Sequence, residues 1–307
     1  MSKRRVEEKQ DSESDIEVSS TESENEGEGL QVNVDEGQPE EDILNVDFDY
    51  FDLNQNVDFL ALKNFLAQLF GDDASLFDLS SLADLTLTEG VAGSAIKTEG
   101  KESDPFALLS VVSLSDNMDK QCVKTLVNYI LDKSSKQTEF HAVLEKLLTS
   151  RSTGAVKKLR VGLIISERVI NMPVEVVPPM YQLLLDDMAK EEEASEKKSG
   201  FDLFLVISRV YEFAAAKIDA DDSQKAKKKK LPAKPEIQMD YFHYEDPILE
   251  KNASHRGYFK YSHADKDTDS RRVFNEYGID PMLSLILLNK EQLSKATAEM
   301  QKEFAPN

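Results

Sequence analysis

The sequence predicts a mixed α/β (α+β) domain, one central sheet flanked by helices, behind a disordered acidic tail. Three observations predict it. Runs of helical period alternate with short β-branched runs, but without regular βαβ units or internal repeats. The 307 residues are 40% hydrophobic, enough for one large core. Residues 1–42 carry 15 acidic and 4 basic side chains and almost no large apolar ones, so they cannot offset their ordering entropy. The expected organisation is a tail over 1–42 and a single domain over 43–307, with a lysine-rich linker insert at 219–236.

The elements follow in order. DFDYFDL, Asp47 to Leu53, alternates acid with apolar residues and reads as a strand or docking segment. Asn54 or Asn56 caps a helix to about Phe70. Leu62, Phe65, Leu66 and Leu69 share one face, and Gly71 closes it. A second amphipathic piece covers Ser75 to Asp84. SAIK (Ser94 to Lys97) and FALLSVVSL (Phe106 to Leu114) read as strands about a polar turn. Helices are expected at about Asp119 to Lys133 and Thr138 to Ser150.

VGLIISERVINMPVEVVPPMYQLLLDDM, Val161 to Met188, reads as a buried strand, a loop and a helix opening on Pro178 and Pro179. Such a junction often cradles a phosphate, but no glycine stands between Ser166 and Val177, and Glu167 and Glu175 would repel an anion. FDLFLVISRVYEFA, from Phe201, is another buried strand. Beyond the linker come strand material at Met239 to Tyr244 and Gly257 to Tyr261, an apolar run Met282 to Leu288, and a last helix at about Lys290 to Phe304.

Composition narrows the function. The formal charge is −21, of which residues 1–42 supply −11. So acidic a chain repels nucleic-acid phosphates and attracts basic partners. No apolar run reaches the ~18 residues of a membrane span. The charged opening MSKRRVEEKQ is not expected to act as a secretory signal. The lone Cys122 fits a reducing compartment, cytosol or nucleus.

No residue is assigned to catalysis, cofactor or metal. His141, His243, His255 and His263 match no zinc spacing, and no P-loop or G-x-S-x-G elbow is present. Cys122 is expected mid-helix, without an activating base. Three signals outside the core remain. Lys225, Lys227, Lys228, Lys229 and Lys230, with Lys3 to Arg5, suit a nuclear import receptor, against a merely solubilising linker. Ser12, Ser14, Ser19, Thr21 and Ser23 each precede an acidic residue by three places, the preference of acid-directed kinases. Leu79, Leu82, Leu85 and Leu87 have export-signal spacing, though core packing explains the same period.

SERVINMP (Ser166 to Pro173), PPMYQ (Pro178 to Gln182), the lysine insert and YFHYEDPILEK…GYFKYS together resemble the BCCIP family of nuclear proteins, most of all its fungal members. The resemblance covers about residues 45–307. It implies a fold similar to the GNAT acetyltransferases without their activity, since the Q/R-x-x-G-x-G/A loop that holds acetyl-CoA in active enzymes is missing after Ile165. It also implies a nuclear chaperone of a large-subunit ribosomal protein that supports nuclear export of a lipid kinase, a phosphatidylinositol phosphate kinase. The expected chain is a nuclear protein shuttling to the cytoplasm with import and export receptors as partners, and with no cofactor, membrane or direct nucleic acid. The alternatives are an acyltransferase with a degenerate cofactor loop and a multi-partner regulatory scaffold.

Overall fold

A computed structural model of the chain describes residues 46–149, 159–194, 200–213, 239–262 and 279–305. The chain divides into Met1–Asp47 and a compact unit Phe48–Asn307. The phosphorylation candidates Ser12, Ser14, Ser19, Thr21 and Ser23, the lysine cluster at 225–230 and His263 lie outside the described residues.

The compact unit is a mixed sheet between two layers of helices. Strands β1 (Asp49–Asp52), β2 (Gly90–Lys97), β3 (Ala107–Ser113), β4 (Val161–Arg168) and β5 (Leu203–Phe213) lie side by side in chain order. β6 (Met239–Tyr241) pairs with β5 as well, while β7 (His255–Lys260) and β8 (Ile279–Asn289) complete the far edge in the order β5, β8, β7. Among the described strands every pairing is antiparallel except β4 with β5.

Alternation along the strands explains both layers. Leu163, Ile165, Leu205, Ile207, Leu283 and Leu285 face helices α1 (Gln55–Phe70), α2 (Leu79–Glu89), α3 (Gln121–Ser134) and α4 (Thr138–Thr149). Ile164, Phe204, Val206, Ile286 and Leu288 face α5 (Val177–Ala194) and the C-terminal helix α7 (Lys290–Glu303), with Leu249 of α6 (Asp246–Asn252). Helix α1 begins where its cap requires: the Asn54 side chain accepts from the Asn56 N–H at 3.0 Å, and Gly71 ends it at φ +48°. Asn289 and Gln292 form a reciprocal capping box at the start of α7.

Several elements differ from the sequence reading. The piece expected at Ser75–Asp84 is a 3-10 turn, Gly71–Leu76, followed by α2. Of the export-spaced leucines, Leu82 and Leu85 are buried in the core and Leu79 and Leu87 pack partly against it. β2 runs further back than SAIK because β3 pairs with it as far as Gly90, past a bulge. Gly93 permits that approach; a Cβ there would lie 2.7 Å from the Leu109 carbonyl oxygen. β4 continues through Ser166, Glu167 and Arg168, since β3 supplies a partner for each. The strand expected over Met239–Tyr244 stops at Tyr241, and α6 follows it unanticipated. Cys122 stands in the first turn of α3 rather than mid-helix, half-buried, with burial pushing its thiol up.

A candidate functional site where the parallel strands part

The only parallel pair among the described strands is also the place where the sheet opens. β4 and β5 pair from Val161↔Leu203 to Ile164↔Val206 and no further. Beyond that point β4 pairs only with β3. β5 remains paired with β8 along its length and takes β6 on its other side, Val210↔Tyr241 to Glu212↔Met239. The chain from Met239 to Asp246 therefore enters the opening between β4 and β5.

Charged side chains complete the filling, on both faces of the sheet. Toward α1, the buried Glu167 carboxylate accepts from Arg209 at 3.2 Å and from Gln68 at 2.9 Å. His243 Nε2 stands 3.7 Å from the same carboxylate and is buried without a hydrogen-bond partner. Arg209 lies over the Phe242 ring at 4.8 Å. Toward α5 and α6, the Arg168 guanidinium donates to both oxygens of Glu245, at 2.5 and 2.8 Å. Asp246 accepts from Ser208 beside it. One element further along, Glu250 accepts from Ser284 at 2.7 Å, Tyr258 at 2.5 Å and Tyr241 at 2.9 Å.

Burial sets the protonation states. Desolvation, with the neighbouring Glu245 charge, drives the Asp246 carboxyl well above its ordinary value. Desolvation opposes charge on Glu245 too, but Arg168 outweighs it and holds that carboxyl below its ordinary value. Burial lowers His243 despite two acidic neighbours, so the imidazole is neutral. The result is an ion pair beside an acid whose charged form is disfavoured by burial and a histidine held toward its neutral form.

This geometry bears on two chemical uses, metal binding and phosphate binding. His243, Glu245 and Asp246 offer ligand atoms within 4.8 Å of one another, a grouping that spacing alone did not suggest. Yet both Glu245 oxygens are bonded to Arg168 and Asp246 accepts from Ser208, so of the three only the His243 Nε2 atom lacks a protein partner and the carboxylates are already engaged. A phosphate cradle needs free backbone N–H groups on a glycine loop at a helix N-terminus. The loop after β4 runs instead through Val169 to Pro173 into a 3-10 turn, Val174–Val176, that feeds α5. Glu167 does not repel ligands from that loop, as the sequence suggested; it is buried and paired.

The architecture is a mixed sheet with a filled opening and no assembled set of catalytic groups among the described residues. The BCCIP family model matches residues 43–249, and the chain belongs to that family. Relatives agree along almost the whole length. Protein BCP1 of Debaryomyces hansenii is 58% identical over 100% of both chains. Protein bcp1 of Schizosaccharomyces pombe is 36% identical over 87% of this chain and 92% of its own. The crystal structure of BCP1 from Saccharomyces cerevisiae superposes with a TM-score of 0.58 at 31% identity, covering 87% of this chain and 93% of that one.

Proposed function

We propose that this chain is a non-enzymatic nuclear escort that binds a basic ribosomal protein of the large subunit and carries or shields it during ribosome assembly. The observation that carries the reading is the charge, −21 overall, on a fold in which the opening between β4 and β5 is filled by the chain's own residues. A ribosomal protein away from RNA presents dense lysine and arginine. An acidic partner screens that charge and speeds encounter, while a folded surface supplies selectivity. A GNAT-like ancestry is supported by the parallel β4–β5 pair that parts within an otherwise antiparallel sheet. In this reading β6 and the Arg168–Glu245 pair stand where a cofactor would enter.

The lysines at 225–230 serve import, the protein shuttles between nucleus and cytoplasm, and export of a lipid kinase is a second duty. The test is affinity purification from growing cells, washed at low and then high salt, with bound proteins identified by mass spectrometry. One stoichiometric basic ribosomal protein surviving high salt is the expected result. A broad set of basic proteins, all released by salt, would reduce the acidity to a generic effect and defeat the reading.

A further inference from the structure

Strand register gathers one distinctive surface at one end of the sheet. Asp49↔Lys97, Ala107↔Arg168 and Ile279↔Phe213, with the parallel pairing of β4 and β5, set the β2–β3 turn, the end of β4, the end of β5 and the start of β8 at the same end of the sheet, on the two sides of its opening. Five of the eight large apolar side chains exposed on the compact unit, among the described residues, belong to this end: Phe106, Val169, Ile170, Phe213 and Tyr244. The other three, Leu60, Leu76 and Leu159, belong to α1, the 3-10 turn and the approach to β4. Ile170 is 82% exposed and Tyr244 67%. Side chains so placed contribute almost nothing to the core, and their grouping is the mark of an interface rather than of chance.

The patch is also held stiffly. The Val169 N–H donates to the Phe106 carbonyl at 2.9 Å, and Tyr211 packs its ring against Phe213 and Phe242, with centroids 5.4 and 4.9 Å away. Around it stand exposed carboxylates: Glu99, Glu102 and Asp104 on the β2–β3 turn and Glu175 after β4. The exposed lysine of that turn, Lys101, lies 3.6 Å from Glu102, and Lys260 is paired with Asp280 at 2.6 Å. α5, which carries Glu191 to Glu193, has no exposed large apolar side chain among the described residues.

We propose that this end of the sheet is the docking surface for a basic protein partner. Apolar side chains of the partner seat against Val169–Ile170 and Phe213–Tyr244, and its lysines and arginines meet the acidic rim. The proposal rests on the escort reading and adds the face. It predicts that a partner bound by this acidic chain survives high salt, because apolar contact is not screened.

The test uses the full-length chain, immobilised, with ribosomal proteins salt-stripped from large subunits as the probe. Compared with wild type are the Ile170→Asp/Phe213→Ser double variant and a Leu60→Ser control, each first checked for an unchanged melting curve. The expected result is salt-resistant retention weakened by at least about tenfold in the double variant and unchanged in the control. Equal retention by all three chains overturns the face and leaves the escort reading standing. No retention by wild type at any salt overturns both. As a second measurement, a photo-crosslinking residue at position 170, but not at 60, is expected to capture a basic ribosomal protein. Capture of residues 219–236 of this same chain instead would assign the patch to its own lysine-rich segment and overturn the proposal.

Discussion

At the scale of single residues, the most consequential pairs are buried and ionic. Lys97 and Asp58 are both fully buried, 2.6 Å apart; Lys97 also donates to the Lys101 carbonyl at 2.8 Å, and Asp58 accepts from the Asn54 N–H. The pair pins the start of α1 to the end of β2. Lys97→Met leaves a buried carboxylate without its cation, so the expected loss is about 3–5 kcal/mol by chemical denaturation. Adding Asp58→Leu removes the orphaned charge and is expected to recover part of that loss. A double variant no more stable than Lys97→Met would show that the charge was not the cause. Asp246 gives a second test. Its folded pKa is raised, so its contribution is fully present below the unfolded value of about 4 and is lost as pH rises toward the folded value. Asp246→Asn removes that dependence. The variant should gain on wild type from pH 4 upward, by at most about 1.4 kcal/mol per pH unit. A difference constant from pH 4 to 8 would contradict the assignment. His243, with its lowered pKa, acts in the opposite sense, losing stability as pH falls below about 6.5, so the comparison must be made against wild type at each pH.

At the scale of elements, the sequence was most legible where periodicity and caps agree. The 3.6-residue spacing of Leu62, Phe65, Leu66 and Leu69, with Asn54 or Asn56 as the cap and Gly71 after, defined α1, and the structure places the cap at Asn54. The prolines at 178 and 179 marked the opening of α5. The site was much less legible. The strand material at Met239 to Tyr244 contained β6, but its place was not foreseen: it pairs with the edge that β5 offers once β4 leaves it, and no local pattern encodes a neighbour's departure. Helix α6 is seven residues, too short for a period, although Asp246-Pro247 gave a usable first-turn signal. Arg168, Glu167 and Arg209 looked like surface charges by type, and only tertiary pairing reveals that they fill the core of the opening. The capping box at α7 is an element-level device with a measurable cost. Asn289→Ala removes one bond of the reciprocal pair and should destabilise by about 1 kcal/mol, read from the urea midpoint at unchanged m-value. No shift in midpoint would mean that tertiary packing alone holds that end.

At the scale of the whole molecule, charge and shape divide the work of binding. The 42 N-terminal residues carry −11 and the rest −10, so about half of the field belongs to a segment with little apolar content. A field of this kind accelerates encounter and is screened within a Debye length of about 8 Å at physiological salt, whereas apolar contact governs dissociation. Deleting residues 1–42 is therefore expected to slow association with salt-stripped ribosomal proteins at low salt, with a smaller effect at high salt, and to leave the dissociation rate within about threefold of wild type. Substituting the folded unit's apolar patch should do the reverse, quickening dissociation at every salt concentration. Surface-immobilised kinetics across a salt series separates the two. If tail deletion instead accelerated dissociation and left association unchanged, the tail would be part of the bound interface, and a division between steering and seating would be wrong.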